Sequence, residues 1–156
     1  VSASTEKKIL SSQLYADGSC VDMLNVPNNL PRSRGQAIDI EPHLLMEGNK
    51  VFKYAVSRLS SLADELIKEA GLTSEDMDWL VPHQANFRIL QSTAKKMNMP
   101  MSKVITTLQD QGNTSAASIP LALDFAIKTN KIKSGDTIIS EAFGAGFVWG
   151  GFVAII

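Results

Sequence analysis

The chain is most constrained where Trp79-Leu80-Val81 runs into Pro82-His83-Gln84-Ala85-Asn86. The short apolar run reads as a buried strand, the proline disfavours helix just before it, and a helical pattern begins immediately afterwards. A histidine is thereby delivered to the carboxyl end of a strand, where α/β proteins keep their chemistry. A second junction stands at Gly112-Asn113-Thr114-Ser115-Ala116-Ala117-Ser118. Its glycine frees the backbone for a sharp turn with Asn113 at the tip, and the hydroxyl residues behind it suit a helix start. Two neutral hydrogen-bonding side chains, His83 and Asn113, thus fall on two strand-to-helix junctions.

The remaining pattern frames these junctions. Ile9 to Ala16 alternates as a strand that ends in an Asp17-Gly18 turn. Residues Asn25 to Gly48, with Pro27, Pro31, Pro42 and Arg32-Ser33-Arg34-Gly35, read as a long surface excursion, the kind of loop that is usually functional or mobile. A helix is expected from Asn49 to Ala70, with Val51, Phe52, Ala55, Val56, Leu59, Leu62, Ala63, Leu66 and Ile67 on one face and Gly71 as its stop. Thr73 and Asp76 have capping-box spacing. After the Trp79 to Val81 strand, a helix from about Asn86 to Met97 turns Phe87, Leu90, Ala94 and Met97 inward, and Pro100 closes it. Val104 to Leu108 reads as a brief strand. The next helix ends near Asn130 and buries Ala116, Ile119, Leu123, Ala126 and Ile127, with Pro120 suited to its first turn. Strands Thr137 to Ala142 and Phe147 to Ile156, joined by a tight glycine turn, pair antiparallel. The sum is α/β: a mixed sheet of about five strands with packed helices.

Composition narrows the class. A chain of 156 residues can bury roughly 70% of its unfolded surface, enough for one core. Hydrophobic content of 44%, charged content of 20% and a net charge of -1 fit a soluble globular protein, with no basic field for nucleic acid. No apolar run reaches membrane-span length, and the first eight residues contain no secretory core. The single cysteine, Cys20, excludes an internal disulfide framework and a cysteine zinc site, and a reducing cytoplasm is expected. His43 has no second metal ligand at helical or turn spacing, so it reads as an exposed loop histidine and no metal site is expected. The absence of an initial methionine suggests a fragment or a processed piece.

Three segments together carry a family resemblance: Val81-Pro82-His83-Gln84-Ala85-Asn86, Gly112 to Ser118, and Glu141-Ala142-Phe143-Gly144-Ala145-Gly146-Phe147-Val148-Trp149-Gly150. In order and composition they resemble the C-terminal half of the beta-ketoacyl-[acyl-carrier-protein] synthase III family, within the thiolase superfamily. The resemblance implies a thiolase-like half, one of two similar halves that pack into an αβαβα sandwich. It places the family's nucleophilic cysteine in the other, N-terminal half, which this chain lacks. Cys20, two residues past a turn, reads as structural. The implied reaction is a decarboxylating Claisen condensation of acetyl-CoA with malonyl-[acyl-carrier-protein], giving acetoacetyl-[acyl-carrier-protein]. No resident cofactor is implied, since CoA thioester and carrier-protein phosphopantetheine are substrates.

By resemblance, His83 and Asn113 complete a Cys-His-Asn triad. The chemistry suits them, because negative charge develops on the malonyl thioester oxygen as carbon dioxide leaves, and neutral donors aimed at it lower the barrier. A desolvated pocket keeps the imidazole uncharged, and a carboxamide donates at every pH. Taken alone, His83 reads as a satisfied core histidine and Asn113 as a turn former; their joint placement within the matched motifs favours the triad instead. Phe143 resembles the family phenylalanine beside the triad, or is a core aromatic at a strand end. Ala145 replaces a frequent glycine at the position whose N–H helps form an oxyanion hole, and it limits positive φ there. Gly48, Phe52 and Asn86 match the pantetheine channel. Arg88, Lys95 and Lys96 match the docking patch for the acidic acyl carrier protein, or are a solvated helix face. The implied assembly is with the N-terminal half, as a homodimer. Rivals are a relative using other acyl-CoA primers or making a signal molecule or polyketide starter, and a non-catalytic half-domain that dimerises or binds carrier protein.

Overall fold

The structure is a computed structural model and describes residues 8–26 and 43–156. Most of the excursion expected over Asn25 to Gly48, including its three prolines, lies outside the described residues.

The described chain opens with β1 (Ile9–Ala16), a 3-10 turn over Gly18–Met23, and two short strands, β2 (Leu24–Asn25) and β3 (Leu45–Met46). Then come α1 (Gly48–Glu69), β4 (Trp79–Pro82), α2 (Phe87–Lys96), the single-turn α3 (Leu108–Gln111) and α4 (Ser118–Lys128). The hairpin of β5 (Thr137–Gly144) and β6 (Val148–Ile155) ends it. The main sheet has the order β1-β6-β5-β4. β6 runs antiparallel to both neighbours, whereas β4 and β5 are parallel. The sheet is therefore mixed, as expected, and a separate two-stranded sheet joins β2 to β3.

Each helix buries the face its periodicity dictates. α1 turns Val51, Leu59, Leu62, Ala63 and Leu66 onto one sheet face, where they cluster with Leu80, Ile139, Phe147 and Val153. α2 adds Ala94, with Met97 just beyond it, to the same cluster. On the opposite face, α4 packs Ala122 and Ala126 against Val81, Ile105, Ile138 and Ala154. Asp76 completes the expected cap by accepting from the N–H and hydroxyl of Thr73, at 2.7 Å each. Cys20 is free and buried in the α1 core.

Three expectations are corrected. Val104 to Leu108 is not a strand: Val104 makes a single parallel bridge to Leu80, and the Ile105 N–H donates to the Leu80 carbonyl at 2.9 Å. The ladder stops because a side chain replaces it. Gln84 donates to the Ile105 carbonyl at 3.1 Å and accepts from the Thr107 N–H at 2.9 Å. Among the described residues the main sheet consequently has four strands and one bridge, rather than five strands.

Phe87 is exposed, because the Asn86 cap makes it the first helical residue, hanging over the end of the inward Leu90, Ala94 and Met97 row. In α4 the buried row is Ser118, Ala122 and Ala126. Ala116 precedes the helix and Ile127 faces solvent, so neither is core, while Pro120 does occupy the first turn.

Candidate active site

β4 and β5 are parallel, so their carboxyl ends open at one edge of the sheet. His83 follows β4 directly. Its N–H donates to the carbonyl of Glu141 in β5 at 2.8 Å, which fixes the backbone at this point. Gln84, 1% exposed, locks it from the other side by donating to the Pro82 and Ile105 carbonyls at 2.8 and 3.1 Å. The same carboxamide holds Thr107, so one buried side chain ties the histidine to the segment that leads to Asn113. Nothing in the sequence pattern marked Gln84 for this duty, because its partners are backbone groups 21 and 23 residues away.

The imidazole of His83 is half-buried and lies on the α4 side. Its Nδ1 is 2.6 Å from the Oγ of Ser118, the first residue of α4. Burial pushes its pKa below the usual histidine value, so the ring is neutral near neutral pH. The Asn113 loop is shaped by its backbone. Gly112 has φ 65° and ψ −163°, a conformation essentially confined to glycine, and Ser115 adopts φ 52°. The Ser115 N–H donates to Asn113 Oδ1 at 2.9 Å. That bond uses the carboxamide's acceptor end and leaves its NH2 donor for something else. His83 and the Asn113 segment are thus joined through Ser118.

Two neighbouring features complete the edge. Phe143 is partly buried in an aromatic cluster, 4.7 Å from the Phe147 ring centroid, 6.1 Å from Tyr54 and 6.4 Å from Trp149. The turn after it takes positive φ at Gly146 (132°), not at Ala145, so alanine fits without strain. Glu141 is 2% exposed, and neither carboxyl oxygen meets a hydrogen-bond partner among the described residues. Desolvation pushes its pKa up to about 8, so it holds its proton at neutral pH.

A second group gathers where α1 and α2 begin. Asn86 caps α2 by accepting from the Arg88 N–H at 2.9 Å. The Arg88 guanidinium lies 5.2 Å from the Phe52 ring centroid. Gly48 stands one turn before Phe52, and a Cβ there would meet nothing within 4 Å, so packing inside this chain does not require glycine. Lys95 and Lys96 are exposed in the last turn of α2. They lie about 11–12 Å along the helix from Arg88, at 1.5 Å per residue, and share its face at i+7 and i+8. Among the described residues, no three His, Cys, Asp or Glu side chains are grouped to hold a metal ion. No described helix is long and apolar enough to cross a membrane.

Comparison with known proteins gives concordant matches. A family model described as 3-oxoacyl-[acyl-carrier-protein (ACP)] synthase III C terminal matches residues 67–156. The beta-ketoacyl-[acyl-carrier-protein] synthase III of Methylococcus capsulatus is 48% identical over 148 residues, which is 95% of this chain and 46% of that protein. Its counterpart in Alkalilimnicola ehrlichii is 51% identical over 147 residues, 94% of this chain and 46% of that protein. In fold, the chain is similar to the crystal structure of 3-oxoacyl-[acyl-carrier-protein] synthase III from Aquifex aeolicus VF5. The TM-score is 0.88 at 37% identity, over 99% of this chain and 46% of that one. The chain spans about half the length of the curated relatives it matches.

Proposed function

The chain belongs to the 3-oxoacyl-[acyl-carrier-protein] synthase III family, and from that premise we propose that it is the C-terminal half of the condensing enzyme that initiates type II fatty acid synthesis. In this reading an acetyl group from acetyl-CoA is carried on a cysteine of the N-terminal half. Malonyl-[acyl-carrier-protein] loses carbon dioxide, and the resulting carbanion attacks the acyl-enzyme to give acetoacetyl-[acyl-carrier-protein]. His83 and Asn113 donate to the malonyl thioester oxygen while it is anionic. This half is inactive alone, because the nucleophile lies elsewhere; the enzyme is a cytoplasmic homodimer with no resident cofactor.

The observation that carries the reading is His83 itself: a desolvated, neutral imidazole at the carboxyl end of β4, joined by Ser118 to the loop that holds Asn113. A neutral donor in a site of low polarity stabilises developing negative charge without forming an ion pair. The Phe52 and Arg88 contact, with Gly48 and Asn86 beside it, supports a channel mouth for the pantetheine arm. Arg88, Lys95 and Lys96 then offer cations to an acidic carrier protein.

The test uses the full-length enzyme. Removing one oxyanion donor typically costs about 10²–10³ in rate, so His83→Ala and Asn113→Ala should each lower malonyl decarboxylation by that order. Arg88→Glu should weaken carrier-protein affinity, more so at low salt, and spare acetyl transfer from CoA. Normal decarboxylation in the alanine variants refutes the donor roles, and unchanged carrier affinity refutes the docking patch.

A further inference from the structure

The geometry points to Ser118 as a positioning residue that fixes the tautomer of His83, keeping the proton on Nε2 and leaving Nδ1 as an acceptor. The inference rests on the reading of His83 as a donor only for its consequence in catalysis. The tautomer follows from hydrogen-bond accounting.

Ser118 is 1% exposed, so water does not compete for its hydroxyl. Its Oγ has two polar neighbours among the described residues: the backbone nitrogen of Gln84 at 3.2 Å and Nδ1 of His83 at 2.6 Å. The Gln84 N–H can only donate, so it occupies one lone pair of Oγ. The hydroxyl proton then needs an acceptor, and among the described residues Nδ1 is the only acceptor within reach. If Nδ1 carried the proton instead, Oγ would accept twice and its own O–H would be buried with nothing to receive it, a loss that folded proteins avoid. The arrangement that satisfies every group runs Gln84 N–H to Ser118 Oγ, and Ser118 O–H to His83 Nδ1. The remaining ring nitrogen, Nε2, carries the proton.

The direction of this relay matters. A triad that orients its histidine with a carboxylate places the proton on Nδ1 and makes Nε2 a base. A hydroxyl that is itself pinned by a backbone N–H does the reverse and makes Nε2 a donor. Ser118 therefore selects donation over proton abstraction, the property a developing thioester anion needs. The sequence gives a reason for the placement, since Ser118 opens α4 and its side chain is held by the helix rather than by a mobile loop.

The experiment is 15N NMR of the full-length enzyme labelled at histidine, recorded above the imidazole pKa. The His83 signals are identified by their loss in His83→Gln. A pyridine-like Nδ1 and a pyrrole-like Nε2 are expected in the parent. In Ser118→Ala the two signals should move toward each other as both tautomers become populated, and Ser118→Thr, which keeps the hydroxyl, should restore the parent pattern. Malonyl decarboxylation in Ser118→Ala should fall about tenfold in kcat, the scale of one neutral hydrogen bond, with KM little changed. A proton found on Nδ1 in the parent, or His83 signals unmoved by Ser118→Ala, overturns the inference. If Ser118→Ala does not fold, the parent spectrum alone decides the tautomer. If His83→Ala decarboxylates normally, the donor role falls while the tautomer assignment stands on its own spectrum.

Discussion

At the scale of single residues, Glu141 is the strongest departure from ordinary solution behaviour. Its carboxyl is buried on the α1 side of β5, while its backbone carbonyl receives the His83 N–H on the strand edge. Desolvation lifts the pKa from 4.5 to about 8, so between those values the unfolded chain has released a proton that the folded chain keeps. Stability contributed by this group therefore falls as pH rises through that window, by at most about 1.4 kcal/mol per pH unit. Glutamine has a similar shape and no charge to bury. Glu141→Gln should match the parent near pH 4.5 and become progressively more stable than it toward pH 8, as read from urea unfolding at several pH values. His83 has the opposite sign: its lowered pKa means that stability is lost as pH falls through the ordinary histidine range. The difference between variant and parent isolates Glu141 from it. A stability gap that does not grow with pH would show that Glu141 is ionised in the fold.

At the scale of elements, periodicity carried most of the architecture and local chemistry most of the boundaries. The eight residues of β1, the long amphipathic α1 and the β5–β6 hairpin were legible because each repeats its pattern several times. The failures share one cause, a side chain or helix start that resets the phase. Gln84 substitutes its carboxamide for the ladder that would have made Ile105 to Thr107 a strand, and Ser118 sets the register of α4 two residues after Ala116. In the candidate site, the place of His83 at the end of β4 was readable from the sequence, whereas Asn113, expected at a strand-to-helix junction, lies between α3 and α4 because the strand before it does not form. Gln84, Ser118 and Glu141 were not readable, since the roles of the first two depend on contacts 21 to 35 residues distant and that of Glu141 on burial.

The paired glycines of β6 show the same limit. A Cβ at Gly151 would collide with the Ser140 carbonyl oxygen and sit 3.0 Å from Leu66 Cδ1. Gly151 is thus what lets α1 and β5 close on β6. Gly151→Ala should destabilise the fold by about 1–3 kcal/mol, the usual cost of overpacking. The check is a lower urea midpoint with an unchanged slope. A midpoint equal to the parent's would mean that the sheet shifts freely.

At the scale of the molecule, the two faces of the main sheet are covered unequally. α1 spans β1, β6 and β5 on one side, whereas α4 on the other packs chiefly near β4. Strand alternation sends Leu14 and Val148 to that second face, where Leu14 is 84% exposed and Val148 48% exposed. Ile127 and Leu121 on α4 add further exposed apolar surface. Large exposed apolar patches rarely persist on monomers, and Leu14 and Val148, on adjacent strands of one sheet face, are the start of such a patch. A partner with the same layered build, a helix over a sheet, would bury them, as the proposed N-terminal half would. The 156-residue chain on its own should therefore self-associate, with Leu14→Lys combined with Val148→Lys shifting it toward monomer, as measured by sedimentation equilibrium. Both substitutions add charge at surface sites, so their effect on the fold itself should stay within a few tenths of a kcal/mol. If the unsubstituted chain sediments as a compact monomer, the exposed face is stable in water, and the proposal of a second half must then rest on the proposed place of the nucleophile alone.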